Sequence, residues 1–338
     1  MNTQKALFSC LLLAMSVSVS WASDTVTPGS LTGGIVHNVP TWFKESFLEI
    51  ADDVDEASAE GRHVLLFFQL NACPYCDRML TEAFESEPLS SQIQEQFDAI
   101  AINVKGDRDI AFNEALSVTE KELSEFLEVR ATPAILFLNS ENKQVVRVNG
   151  YRSPKRFEQV LNFVSSKSYE SMSLADYIDA NLTEPVYQFR EFPQYQELTD
   201  LSRVNGPLAV VIEDQQCYDC EEFYDRMLSR EDVQQRLSEY TVVRIDADSD
   251  LLLKDVDGSS MTAKQLVNKY EMIYRPGVLL FDQGQLIRRH DSLAFTHHFR
   301  ESLRYVSGGY HKTELYRDYS ERRTAELLAS GVNIDLSE

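Results

Sequence analysis

Apolar positions in this chain form short dense runs set between segments of helical spacing, and the order of runs occurs twice. Val64-Leu65-Leu66-Phe67-Phe68 and Leu208-Ala209-Val210-Val211-Ile212 are continuous apolar runs of strand length, which predicts strands buried on both faces. Residues 99–104 and 241–246 are predicted as second strands, and residues 134–138 and 277–281 as third strands. A turn, a final strand and a helix follow each third strand. In those helices Phe157, Leu161 and Val164 match Phe299, Leu303 and Val306 at an offset of 142 residues. Between the second and third strands lie helical segments opened by Thr119 and Thr262, both suited to N-capping, and each is expected to end at a proline 14 residues on. Asp176-Tyr177 and Asp318-Tyr319 keep the 142-residue offset, so the repeat includes a helical extension.

Strands alternating with helices imply an α/β architecture. Short turns after the third strands imply a mixed central sheet flanked by helices in each unit. At 338 residues the chain suits two such domains, expected over 41–183 and 184–333. The join carries Pro185 and Pro193 among aromatic residues, which favours packing over flexing. Residues 1–22 read as a signal peptide: Lys5, an apolar stretch over 6–19, then Ser20-Trp21-Ala22 with small residues at the −3 and −1 positions. That stretch is too short to span a bilayer. Export with cleavage near Ala22 follows, most simply to a periplasm, with no membrane span in the mature chain. Residues 23–40 read as a mobile leader.

A formal charge of −22, from 54 acidic and 32 basic side chains, argues against nucleic-acid binding. Cys10 lies early in the apolar stretch, whereas a lipoprotein cysteine would follow it, so Cys10 is expected to leave with the signal. Four cysteines remain, as Cys73-Pro74-Tyr75-Cys76 and Cys217-Tyr218-Asp219-Cys220. Loops this small gain little denatured-state entropy from a disulfide, so reactivity explains the pairs better than stability. Pro133 follows Cys73 by 60 residues and Pro276 follows Cys217 by 59.

A Cys-x-x-Cys pair after an apolar strand, with a lone proline some sixty residues on, resembles the thioredoxin superfamily. The first half is similar to exported thioredoxin-related proteins, including periplasmic thioredoxins associated with sulfur oxidation. Ala72-Cys73-Pro74-Tyr75-Cys76-Asp77-Arg78-Met79, Gly106-Asp107-Arg108, Val129-Arg130-Ala131-Thr132-Pro133 and Gly150-Tyr151 carry the match. The resemblance implies two tandem thioredoxin-like domains, cis peptide bonds at Pro133 and Pro276, and substrate docking along Thr132-Pro133 and Arg275-Pro276, with Pro74 and Tyr75 beside the sulfurs. There are departures. The buried Asp of cytosolic thioredoxins is replaced by Phe67 and Val211, and a nearby lysine by Ala101 and Arg244, so proton transfer needs water or another group. Ala134-Ile135 stands where glutaredoxins carry Gly-Gly, which argues against glutathione binding.

A thiolate is the attacking form, and a helix N-terminus favours it. Cys73 is therefore expected as an exposed nucleophile at a helix start, with Cys76 one turn on as the resolving thiol. Cys217 and Cys220 are expected to form a second redox site of different potential. There the Asp219 charge opposes a thiolate and the Arg275 charge favours it; uncharged Thr132 is expected to leave Cys73 unmoved. Asp77 and Glu221 replace the histidine that haem attachment needs, and pairs 144 residues apart on separate modules argue against a shared zinc, so neither metal nor other cofactor is called for. His297-His298 reads as one surface and one partly packed histidine, the tyrosines of the extensions as packing anchors, and Asp52-Asp53 and Glu221-Glu222 as solvated faces.

The expected function is thiol–disulfide exchange with protein or small-molecule substrates, the dithiols being reset by a membrane redox partner. The rival expectation is a substrate-binding or chaperone module, with domain two as scaffold and redox chemistry only in domain one.

Overall fold

The computed structural model describes residues 27–181 and 185–337; the expected signal peptide and its cleavage site lie outside them. Each half forms a four-stranded mixed sheet. In domain one, His63–Gln69 pairs in parallel with Phe97–Asn103 and antiparallel with Ala134–Leu138, which pairs in turn with Gln144–Asn149. Domain two repeats this with Leu208–Glu213, Thr241–Asp246, Gly277–Asp282 and Gln285–His290. Even the register repeats: Phe67 stands opposite Ile135, and Val211 opposite Val278.

The continuous apolar runs are explained by layers on both sheet faces. Leu65 and Phe67 point into the cluster that holds Cys73, Cys76 and the helix Pro154–Ser165, whereas Leu66 and Phe68 join Val54 and Leu123 on the opposite face. Thr119 and Thr262 cap their helices, each in a reciprocal pair with the side chain three residues on, Glu122 and Gln265. Those helices stop at Phe126 and Lys269, short of the prolines, so that a loop leads to each third strand. The helical extensions are Leu174–Ala180 and Tyr316–Ala329.

Some elements had no signal in the pattern. Two small hairpins, Asp109–Asn113 with Leu116–Thr119 and Leu252–Lys254 with Ser260–Thr262, precede the capped helices. Domain one also has a helix over Ile50–Ala59. In the segment expected to be a mobile leader, Leu31–Thr32 pairs in parallel with Ile334–Asp335, so the two ends of the described chain meet. The aromatic join packs as its composition predicts, with Tyr187 and Phe192 buried in the domain-two core.

The domains pack with their cysteine ends opposed. Arg78 and Glu222, which correspond through the repeat, form a two-pronged ion pair at 2.8 and 2.9 Å. Gly150 and Ser292 also correspond, and a Cβ on Gly150, whose φ is +77°, would overlap the Ser292 side chain. Unlike positions meet in repeat-related pairs. The Tyr75 ring stacks on Phe295, and Asp219 faces Ser153. Reciprocal contact of this kind marks an approximate twofold axis between the domains.

Candidate functional site

In domain one the apolar strand ends at Gln69, and the chain turns through Ala72 at a φ of 57° to place Cys73 as the N-cap of the helix Pro74–Met79. Pro74 occupies the first turn, where its missing N–H is no loss. Cys73 Sγ accepts the Cys76 N–H at 3.1 Å and is bonded to Cys76, with 5.2 Å between the Cα atoms. The helix then widens, the Glu85 N–H donating to Leu80 O at 2.9 Å. Thr132-Pro133 is cis, as the resemblance implies; Glu87-Pro88 is cis too and was not expected. Thr132 Oγ1 lies 3.4 Å from Cys73 Sγ, so its hydroxyl can donate to a thiolate. That contact was not foreseen when Thr132 was expected to leave Cys73 unmoved.

Domain two builds the second pair differently. Cys217 and Cys220 are bonded and Arg275-Pro276 is cis. The helix, however, begins at Cys220 with Asp219 as its N-cap, so Cys217 stands in a turn before it. Asp219 accepts the Tyr274 hydroxyl at 2.5 Å. Burial pushes its carboxyl up, against the opposing pull of Tyr274 and Ser153. Arg275 is not free to balance it. Its Nε lies 2.8 Å from Asp214, and it donates to the Met272 and Tyr274 carbonyls. Arg275→Ala should thus act on stability more than on Cys217. Asp214 is buried, and among the described residues it would keep Arg156, at 3.7 Å, as its ion-pair partner. A loss of about 3 kcal/mol is expected in denaturant unfolding, with the Cys217 titration little moved. An unchanged midpoint would remove this assignment.

All four cysteines are buried. Cys73 is 5% exposed and Cys217 1%, which corrects the expectation of an exposed Cys73. At site one the other domain contributes to the cover: Tyr274 and Leu293 belong to the same apolar cluster as Cys73 and Cys76, with Tyr75 packed against it. Arg152 lies 4.6 Å over the Tyr274 ring and 3.3 Å from Asp291, and Arg156 donates to Gln216 O at 2.8 Å. In two acidic runs read as solvated faces, Asp52 and Glu221 are exposed but their neighbours are not. Asp53 is buried beside Lys44, and Glu222 is half-buried against Arg78. Against the upward pull of burial, Arg78 holds the Glu222 carboxyl below its ordinary value. His297 is buried and His298 half-buried, so neither is a surface histidine.

Glu213 is a further buried group that carried no expectation from the sequence. It lies two residues beyond Val211, hence on the same face of the strand, and is completely buried. The hydroxyls of Tyr224, Tyr195 and Tyr187 donate to it at 2.8, 3.2 and 3.3 Å. Burial raises its carboxyl despite these bonds and the nearby Arg244. A lone glutamate ending an apolar run was the available signal.

A family model described as "Thioredoxin-like domain" matches residues 50–165 and again 195–307. No curated protein matches the chain. Among solved structures, the chain is similar to a thioredoxin-fold protein from Helicobacter pylori, with 24% identity over 36% of this chain and 84% of that one, and a TM-score of 0.32. It is similar to a thioredoxin from Thermus thermophilus, with 24% identity over 35% and 85% of the two chains and a TM-score of 0.29. It also resembles the oxidised C-terminal domain of DsbD from Neisseria meningitidis, with 14% identity over 34% and 90% and a TM-score of 0.25.

Proposed function

Since this chain belongs to the thioredoxin-like domain family, in two tandem copies, we propose that it is an exported thiol–disulfide oxidoreductase acting through Cys73 and Cys76, with Cys217 and Cys220 as a second redox pair. The observation that carries the proposal is Cys73 as the cap of a helix, within reach of Thr132 at a cis proline. In the reducing direction the Cys73 thiolate attacks a substrate disulfide. That S–S bond breaks, a Cys73–substrate disulfide forms, and one substrate sulfur leaves as a thiolate and takes a proton. Cys76 then attacks Cys73 Sγ, which releases the second substrate thiol and leaves the Cys73–Cys76 disulfide. Two electrons have passed to the substrate. A membrane redox partner restores the dithiol; the same steps reversed oxidise a dithiol substrate. Export is supported by the signal-like residues 1–22.

A second reading is favoured by one observation. Cys217 caps no helix and sits beside a buried acidic residue, which suits a structural disulfide in domain two with chemistry confined to domain one. The two readings divide on equilibrium potentials against glutathione or dithiothreitol. A site-one value near about −270 mV supports a reductase and one near about −120 mV an oxidase. A site-two value below about −300 mV marks a structural bond. If neither pair exchanges with either reagent in the folded protein, the oxidoreductase proposal fails.

A further inference from the structure

The loop between the strand Gln285–His290 and the helix Thr296–Ser307 lies on domain one beside its cysteines. Four of its five residues meet domain one, three of them at every second position. Asp291 meets Arg152 at 3.3 Å, Leu293 enters the apolar cluster of Cys73, and the Phe295 ring centroid is 3.7 Å from that of Tyr75. Between them Ser292 occupies the space that Gly150 leaves for want of a side chain, and Ala294 turns back to the core of domain two. Contacts at every second position suit a locally extended chain, and Phe295 has extended backbone angles at the end of this stretch. Gly150 donates its N–H to Pro133 O at 2.7 Å, the Arg152 N–H meets Met79 Sδ at 3.5 Å, and Cys73, buried, shares its apolar cluster with Tyr274 and Leu293 of domain two.

We propose that residues 291–295 are a built-in substrate mimic on the docking face of domain one, and that the substrates of Cys73 are extended polypeptides with an acidic, an aliphatic and an aromatic residue at alternate positions beside the reacting cysteine. The substrate class rests on the oxidoreductase reading; the docking does not. One detail marks the closed arrangement as provisional. The Tyr75 hydroxyl is buried with no hydrogen-bond partner among the described residues, a cost that opening to water or to a polar substrate group would remove. The Arg78–Glu222 pair holds the faces together and leaves the cysteines free of covalent ties between domains.

Phe295→Ala in the full chain tests this. After reduction with dithiothreitol, Cys73 alkylation by iodoacetamide, followed by peptide mapping, is expected to quicken by about tenfold, the effect of losing one aromatic anchor. A synthetic peptide spanning residues 288–297 should slow it again, and a scrambled peptide should not. Turnover of two disulfide-linked peptides is then compared. The one carrying Asp-x-Leu-x-Phe beside its cysteine should exceed one carrying Lys-x-Ser-x-Gly by about tenfold in kcat/KM. Equal alkylation rates in the folded variant, or equal turnover of both peptides, would overturn the mimic while the oxidoreductase reading stands. Unmasking and protection with neither peptide disulfide reduced would sink the oxidoreductase reading, and the substrate class with it, while the docking stands. If Phe295→Ala lacks a cooperative melt, Glu222→Arg, which sets like charges across the interface, takes its place in the same assays.

Discussion

Cys73→Ser is expected to cut disulfide exchange at site one by about a thousandfold or more, as loss of a nucleophile does, whereas Cys76→Ser should accumulate a mixed disulfide between Cys73 and its substrate. The asymmetry follows from position. Cys73 Sγ receives the Cys76 N–H at 3.1 Å and lies 3.4 Å from the Thr132 hydroxyl, two donors that stabilise the anion. Cys76 is completely buried one helical turn inside, where the sulfur it can reach is that of Cys73. A substrate disulfide therefore meets Cys73 first, and without Cys76 nothing displaces it. Non-reducing mass spectrometry of each variant with a disulfide substrate reads both outcomes. Faster alkylation of Cys76 than of Cys73 in the reduced protein would reverse the roles.

What the sequence disclosed was local. Thr119 and Thr262 cap helices because a hydroxyl three residues before a Glu or Gln satisfies the first turn wherever the domain sits. Phe67 and Val211 revealed buried strands because runs of that length bury on both faces. The cis bonds at Pro133 and Pro276 lay where the repeat and the resemblance placed them, whereas that at Pro88 did not. What stayed hidden depends on partners distant in sequence. Glu222 reads as a solvated charge until Arg78, 144 residues away, is set against it by the twofold packing. Arg275 lies beside its proline as the spacing suggests, yet Asp214 holds it. Cys217 follows an apolar strand just as Cys73 does, but the helix starts three residues later, at Cys220, with Asp219 as its cap and bound by Tyr274. Hydrophobic pattern records which face is buried, not which surface will cover it, so the packing of Tyr274 and Leu293 against the first cysteine pair had no signature in domain one alone.

Domain two should be sensitive to mild acid, and its histidines set the direction. Burial, with Arg288 and His298 nearby, pushes His290 down to about 3, and burial with His297 nearby pushes His298 down to about 4. Burial also lowers His297. A base whose folded value lies below its unfolded value of about 6.5 leaves stability intact above that value. As pH falls below about 6.5, the unfolded chain takes up protons that the folded one refuses, and stability is lost until the folded values are reached. Two such groups cost about 1.4 kcal/mol each per pH unit, or about 4 kcal/mol together at about pH 5. Asp219 and Glu213, whose carboxyls are raised by burial, act in the opposite sense and recover part of this as they protonate. For a domain of this size, the melting temperature should fall by roughly 10 °C between about pH 7 and 5. His290→Phe is the decisive variant. The His290 ring already meets Phe299 edge-on at 5.4 Å and its Nε2 has no hydrogen-bond partner among the described residues, so an apolar ring is tolerated there. Circular dichroism melts across that pH range should show about half the slope in His290→Phe; an unaltered slope would mean that the acid sensitivity lies in other groups.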